Sequence, residues 1–207
     1  SAILAVSTMS SVNGLAILAV LLAVVLIWAV VKYNEFIASR NRFHNAFAQI
    51  DVQLRRRYDL IPNLVKATRA YLAHERETLE AVVRARQQAV AAHLAAQKQP
   101  GDADTLAAIE MAEAALAGPL GRLFALVESY PELQADQTVA RLVEELSSTE
   151  NRIAFARQAF NDEVMRYNTA IESFPASIVA GAFGFRSASL LRATRSSRER
   201  EAVAVEF

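Results

Sequence analysis

The sequence predicts an all-α chain: an N-terminal transmembrane helix continuing into an up-and-down antiparallel four-helix bundle, with a short C-terminal apolar segment returning to the membrane. Three observations predict it. Gly14 to Val31 is apolar without a break, eighteen residues that as helix cross most of a bilayer core. Beyond this run, apolar residues recur at steps of three and four in four successive stretches separated by Pro- or Gly-bearing breaks. Six glycines and five prolines in 207 residues favour long helices over sheet.

Residues 1–13 carry no charged side chain and read as a short non-cytoplasmic tail. Residues 14–33 read as the span, with Trp28 and Tyr33 towards one end, where aromatic rings favour the headgroup layer. Two readings compete with a span. A buried core helix is disfavoured by the unbroken apolar run, and a cleaved signal peptide by the missing basic n-region and small-x-small pair. The chain begins with Ser rather than Met, which reads as loss of an initiator or short leader. Lys32, Arg40 and Arg42 follow the span and no cation precedes it, so the positive-inside rule puts the N-terminus outside and the body in the cytoplasm. The localisation expected is the cell membrane, single-pass. Ala19 and Ala23 offer a small-xxx-small face for span packing.

Residues 34–172 read as the bundle. Ile37, Asn41, His44, Phe47, Asp51, Leu54 and Tyr58 form one helical stripe. Ile50 to Val65 then reads as the turn between helices one and two, because Pro62 supplies no amide hydrogen and Asp59 stands ahead of it as an N-cap. Helix two so read runs from about Pro62 to Gln97 with Leu64, Thr68, Leu72, Glu75, Leu79, Val82 and Arg86 on its stripe. It would be about 54 Å long, against about 40 Å for helix one beyond the span, a mismatch within an antiparallel pair. Gln99-Pro100-Gly101-Asp102 is a turn. Helix three covers roughly 103–129, with Gly118-Pro119 and Gly121 as a kink point. Tyr130-Pro131 marks a boundary, and helix four runs from about 132 to 172.

Asn41, His44, Asp51, Glu75, Arg86, Glu150 and Arg157 all fall on seam positions. Buried charge is costly unless paired, so Glu–Arg pairs are expected across helices two and four, fixing register more readily than supporting catalysis or contacts between subunits. Arg55, Arg56 and Arg57 read either as a solvated helix end offsetting the helix dipole or as a patch for a partner. Asn161 and Asn168 read as interhelical hydrogen-bonding groups.

Several chemistries fail on spacing. His74-Glu75 begins a metalloprotease-like pattern, but Thr78 stands where the second histidine belongs. None of His44, His74 or His93 has a Glu three residues before it, as a bundle di-iron centre needs. No glycine-rich phosphate loop or nucleophile-elbow serine occurs. There is no cysteine, and the 22 basic and 22 acidic side chains cancel, against general polyanion binding. The chain is therefore read as not an enzyme, with no cofactor, no metal and no nucleic-acid partner.

Residues 173–207 close the chain. Phe174-Pro175 ends helix four, and the apolar stretch after it is too short to span. Phe174, Pro175, Ile178, Phe183 and Phe185 are its interaction or membrane-proximal residues, lying in the interface, against a neighbouring protomer, or packed within the chain. Arg186, Arg192, Arg195, Arg198 and Arg200 make the following tail basic, either drawn to anionic lipid or simply solvated. Residues 203–207 alternate like a short strand.

IDVQLRRRYDLIPNLV (50–65), YLAHE (71–75), YPELQAD (130–136), STENRIAFARQAFND (148–162), RYN (166–168) and FPASIVAGAFGF (174–185) together resemble the LemA family across essentially the whole chain. The resemblance implies a membrane protein with one N-terminal span and a helical-bundle body. Phe160 departs from it, since relatives usually carry Tyr there, and Leu190-Leu191 stands where a Phe-rich segment is common. The function expected is a non-enzymatic membrane scaffold, a homo-oligomer in contact with membrane lipid, with a membrane protein as a further candidate partner. The alternative is an adaptor of a membrane protease or envelope-stress system, as the resemblance suggests.

Overall fold

The computed structural model describes residues 2–191, with side chains from residue 14 onward. All regular secondary structure among the described residues is helical: α1 (Ala2–Thr68), α2 (Arg76–Ala96), α3 (Ala103–Ser129), α4 (Pro131–Ala135), α5 (Gln137–Glu172) and α6 (Ala176–Ala182). The chain divides into two compact units. The first holds the residues up to Asn41 together with Arg166–Ser187, and the second holds Arg42–Met165 and the chain from Ala188. The strand-like pattern at 203–207 and the arginines from Arg192 onward lie outside the described residues.

The expected turn at 50–65 is overturned. α1 runs unbroken through Pro62 to Thr68, and the reversal falls at 69–75. Proline inside a helix removes the amide that would reach the carbonyl four residues back, here Tyr58. Arg86 Nε donates to that Tyr58 carbonyl. The loss is made good from α2, so the helix has no reason to stop. Asp59 is therefore not a cap; its carbonyl accepts from the Asn63 side chain. The expected length mismatch reverses with the turn: α2 shrinks to 21 residues while α1 is extended to Thr68, so α1 beyond the span is now the longer of the pair.

Other boundaries fall nearer to expectation. Gly101, at φ 92°, makes the turn before α3. A Cβ there would stand 3.1 Å from Ala188 Cβ and 3.2 Å from Phe43, so both conformation and space call for glycine. Asp102 caps α3 through the Thr105 amide at 3.0 Å. α3 continues through Pro119; the carbonyl this frees belongs to Ala115, an exposed residue that water can serve. Helix four is split. Asp136 ends the short α4 and caps α5, accepting from Thr138 N at 2.8 Å and Val139 N at 3.2 Å.

In the second unit the α1 and α5 segments meet through aromatic rings. Phe160 is fully buried, 5.7 Å from the Phe47 ring and 6.3 Å from Phe43. The ring needs no polar partner there, which answers for the missing tyrosine hydroxyl. Ile61, Leu64, Val82, Leu123, Leu133, Val139 and Leu146 extend this core.

Candidate functional site

The centre of the second unit is polar. Arg57, expected on a solvated helix end or an open patch, is buried, because with Pro62 inside α1 it sits mid-helix rather than at a terminus. Its guanidinium pairs with Glu113, each side chain only 6% exposed, and with Glu150, which is 47% exposed. The Tyr58 hydroxyl donates to Glu113 Oε1 at 2.6 Å. Burial, more than the opposing Arg57 charge, pushes the Tyr58 hydroxyl up to about 12. Arg55 and Arg56 turn elsewhere, to Asp51 at 3.1 Å and Glu145 at 3.5 Å. The three arginines thus go to four different carboxylates, and Arg57 is buried apart from the exposed Arg55 and Arg56.

A second cluster adjoins it. His93 Nε2 lies 2.6 Å from Asp51 Oδ1, and the Gln97 amide donates to the same oxygen. His93 is buried, and its Nδ1 has no hydrogen-bond partner among the described residues. Burial lowers its pKa, with Asp51 pulling the other way. The Tyr58 ring stands edge-on to the imidazole at 5.8 Å, so the two clusters share a wall.

Of the seam residues read from the sequence, Asp51, Arg86 and Glu150 enter these clusters, but the expected pairing across helices two and four is replaced. Arg86 is taken by the Tyr58 carbonyl and Glu150 by Arg57. Glu75 sits at the N-cap of α2 and makes no capping bond with its side chain. Arg157 is half-buried, and burial lowers its pKa against the opposing charge of Glu110. Asn41 and His44 are exposed: Phe43 and Phe47 take the inward positions, since burying a ring gains more than burying an amide or imidazole. Sequence reading missed Glu113 and His93. Glu113 had a signal, being the charged member of the otherwise apolar stripe Leu106, Ile109, Leu116, Leu120.

Asn161 does not bridge helices. Its amide donates to the Leu191 carbonyl at 2.7 Å and its oxygen accepts from Leu191 N at 2.9 Å. Ser189 N donates to the Gly101 carbonyl at 2.9 Å. The extended segment 188–191 is thus strapped down, and buried Leu191 closes a void of about 10 Å³ beside Glu113, room for one water at most. Two clefts are larger. One, of about 640 Å³ by the α1–α2 reversal, is lined by Arg69, Arg76, Arg84 and Glu80 among apolar residues. The other, of about 580 Å³, runs along α5 by Glu150, Arg157 and Asp162. Among the described residues no group of three or more His, Asp or Glu could hold a metal ion.

The first unit presents the opposite surface. The side chains of Leu15 to Leu26 are exposed and apolar, and α1 is long and apolar enough to cross a membrane. Tyr33, at the end of that run, meets Phe183 edge-on at 4.9 Å and Phe185 at 5.6 Å; Phe36 meets Phe185 at 5.2 Å. Ala176, Val179 and Ala180 are buried, whereas Phe174, Ile178 and Phe183 are 83%, 65% and 62% exposed. Pro175, at the N-cap of α6, is exposed too.

The chain is 30% identical over 170 residues to magnetosome protein MamQ of Magnetospirillum gryphiswaldense, covering 75% of this chain and 62% of that relative's length. Two Paramagnetospirillum magneticum proteins, MamQ 1 and MamQ 2, are 29% identical over 193 residues, covering 86% of this chain and 71% of each relative. The apolar N-terminal helix and these relatives together indicate a membrane-associated protein. The LemA family model matches residues 46–207, and the chain belongs to the LemA family.

Proposed function

We propose that this protein is a non-enzymatic, single-pass membrane scaffold that self-associates and organises the membrane or partner proteins beside it. The observation that carries the reading is how the second unit spends its charges. Arg57 pairs with Glu113, Tyr58 donates to Glu113 and His93 Nε2 meets Asp51 in the interior, as groups that set register do. In this reading residues 14–33 span the bilayer and residues 34–172 make an up-and-down antiparallel four-helix bundle. The segment 174–185 returns to the bilayer, the N-terminus lies outside and the bundle lies in the cytoplasm. The exposed apolar residues of α6 and the cations after the span support those placements. The likeness to MamQ, by name a magnetosome protein, supports a membrane-associated role.

Light scattering of the full chain in mild detergent, corrected for bound detergent, tests it. A defined oligomer that shrinks in Ala19→Leu/Ala23→Leu is expected, and a monomer at every concentration would overturn self-association. The cleft at Arg69, Arg76 and Arg84, where Glu80 pairs with the last two and leaves an excess of positive charge, supports a second reading, an adaptor that receives an acidic segment of a membrane protein. Stoichiometry separates the two: an adaptor purifies with a distinct partner at comparable amount, a scaffold mainly with itself.

A further inference from the structure

The first unit carries two features that anchoring by the span does not use. One is the two-faced α6, with Ala176, Val179 and Ala180 inward and Phe174, Ile178 and Phe183 outward. A soluble surface seldom keeps three such side chains exposed together, and here they accompany a span whose own apolar surface is exposed. The other is charge. Lys32 is bridged to Glu35 at 2.7 Å, and Glu172 accepts from the Ser187 hydroxyl at 2.6 Å. Arg40 lies over the Phe185 ring at 5.8 Å, and Arg186 follows that ring in the chain; both arginines are exposed. The Tyr167 hydroxyl donates to the Arg186 carbonyl at 3.0 Å, fixing the backbone from which that side chain extends.

Depth connects the two features. Tyr33 ends the span, where aromatic rings favour the headgroup layer, and Phe183 touches it. Arg40 stands two turns further, about 10 Å along α1, within side-chain reach of lipid phosphates. We infer that this face docks anionic phospholipid: Phe174, Ile178 and Phe183 enter the outer acyl layer, while Arg40 and Arg186 hold headgroup phosphates. Guanidinium forks match phosphate oxygens, and the two carboxylates of this unit, Glu35 and Glu172, are already engaged, so nothing selects for a zwitterionic headgroup's ammonium. The inference rests on the membrane-anchored reading above.

The chain has one tryptophan, Trp28, near the same end of the span, and no cysteine, which makes the test direct. The full chain is placed in bilayers, and quenching of Trp28 by brominated phosphatidylglycerol is compared with quenching by brominated phosphatidylcholine. Preference for the anionic lipid is expected, falling about fivefold for each arginine removed in Arg40→Gln and Arg186→Gln and falling less in the Arg→Lys pair, which keeps the charge but loses the fork. A polarity probe on Ile178→Cys should be quenched by shallow spin-labelled lipid. Equal quenching of the unmodified chain by both lipids would overturn the inference. So would a probe that is shielded only when unlabelled chains are added, or competition by millimolar soluble glycerophosphate. A chain that does not insert at all sinks the membrane reading itself, whereas one that inserts without preference sinks only this inference.

Discussion

In the first unit Phe174, Ile178 and Phe183 face outward, whereas in the second Arg57, Glu113 and His93 are enclosed by helices. Each arrangement is unfavourable in plain water. Exposed aromatic and branched side chains forgo roughly 1.5–3 kcal/mol of burial apiece, and an unpaired buried charge costs more still. The first unit's surface makes sense against lipid. The interior of the second makes sense only because each charge has a partner. Exposure and burial therefore say little until the surroundings are named, and the contrast is open to experiment from both sides.

The largest expected effect is at Arg57. Arg57→Ala leaves Glu113 buried and unpaired and should cost about 3–5 kcal/mol, measured by urea unfolding of the micelle-bound chain followed by circular dichroism. Replacing Arg57, Glu113 and Tyr58 together with Met, Leu and Phe should recover most of it, since no member of the Arg57–Glu113 pair is then left buried alone. A cost below about 1 kcal/mol for Arg57→Ala would mean that the interior is wet and the contrast false.

Next is the Pro62–Arg86 couple. Arg86→Met should cost about 1.5–3 kcal/mol, the range for a hydrogen bond to a charged group. In a Pro62→Ala background the new amide can take the Tyr58 carbonyl, so the same substitution should cost less. Additive penalties in this double-mutant cycle would show that Arg86 does not stand in for the missing helix bond.

The pH dependence follows from two buried groups. The His93 value lies below its ordinary 6.5, so the unfolded chain binds the proton more readily; stability is complete above about 6.5 and declines as pH falls through the lower folded value. Tyr58 is raised from 10.0 to about 12, so the unfolded chain releases its proton first, and stability declines as pH rises from 10.0 towards 12. Thermal melts across pH should show both slopes. His93→Gln should flatten the acid limb and Tyr58→Phe the alkaline one; unchanged limbs would exclude these groups as the cause. The smallest effects should come from Asn41→Ala and Ile178→Ser, each within about 0.5 kcal/mol in detergent. A large loss at Ile178 would mean that α6 packs inward.

Much of the helix inventory was legible. The apolar run at 14–31, the turn at 99–102 and the extent of α3 all follow from local patterns in Leu, Ala, Gly and Pro. The turn at Pro62 was misread for a specific reason: local rules assign the orphaned Tyr58 carbonyl a cost, and its compensation lies 28 residues away on Arg86. Asn41 and His44 were misplaced because a step of three or four admits neighbouring stripes, and only the competition for burial chose Phe43 and Phe47. Asn161 could be recognised as a hydrogen-bonding group, but not as the clamp on Leu191.

The sequence alone determined that the chain is predominantly helical, where an apolar helix long enough for a bilayer lies, and that charges occur among seam positions, because periodicity and length are properties of one helix at a time. Tertiary structure decided where α1 ends and which charges are enclosed. It also decided their partners: Arg57 meets Glu150 across 93 residues of chain, and Tyr58 meets Glu113 across 55. A hydrogen bond needs its two atoms within about 3 Å, and a local pattern carries no information about which distant carboxylate or carbonyl will stand at that distance.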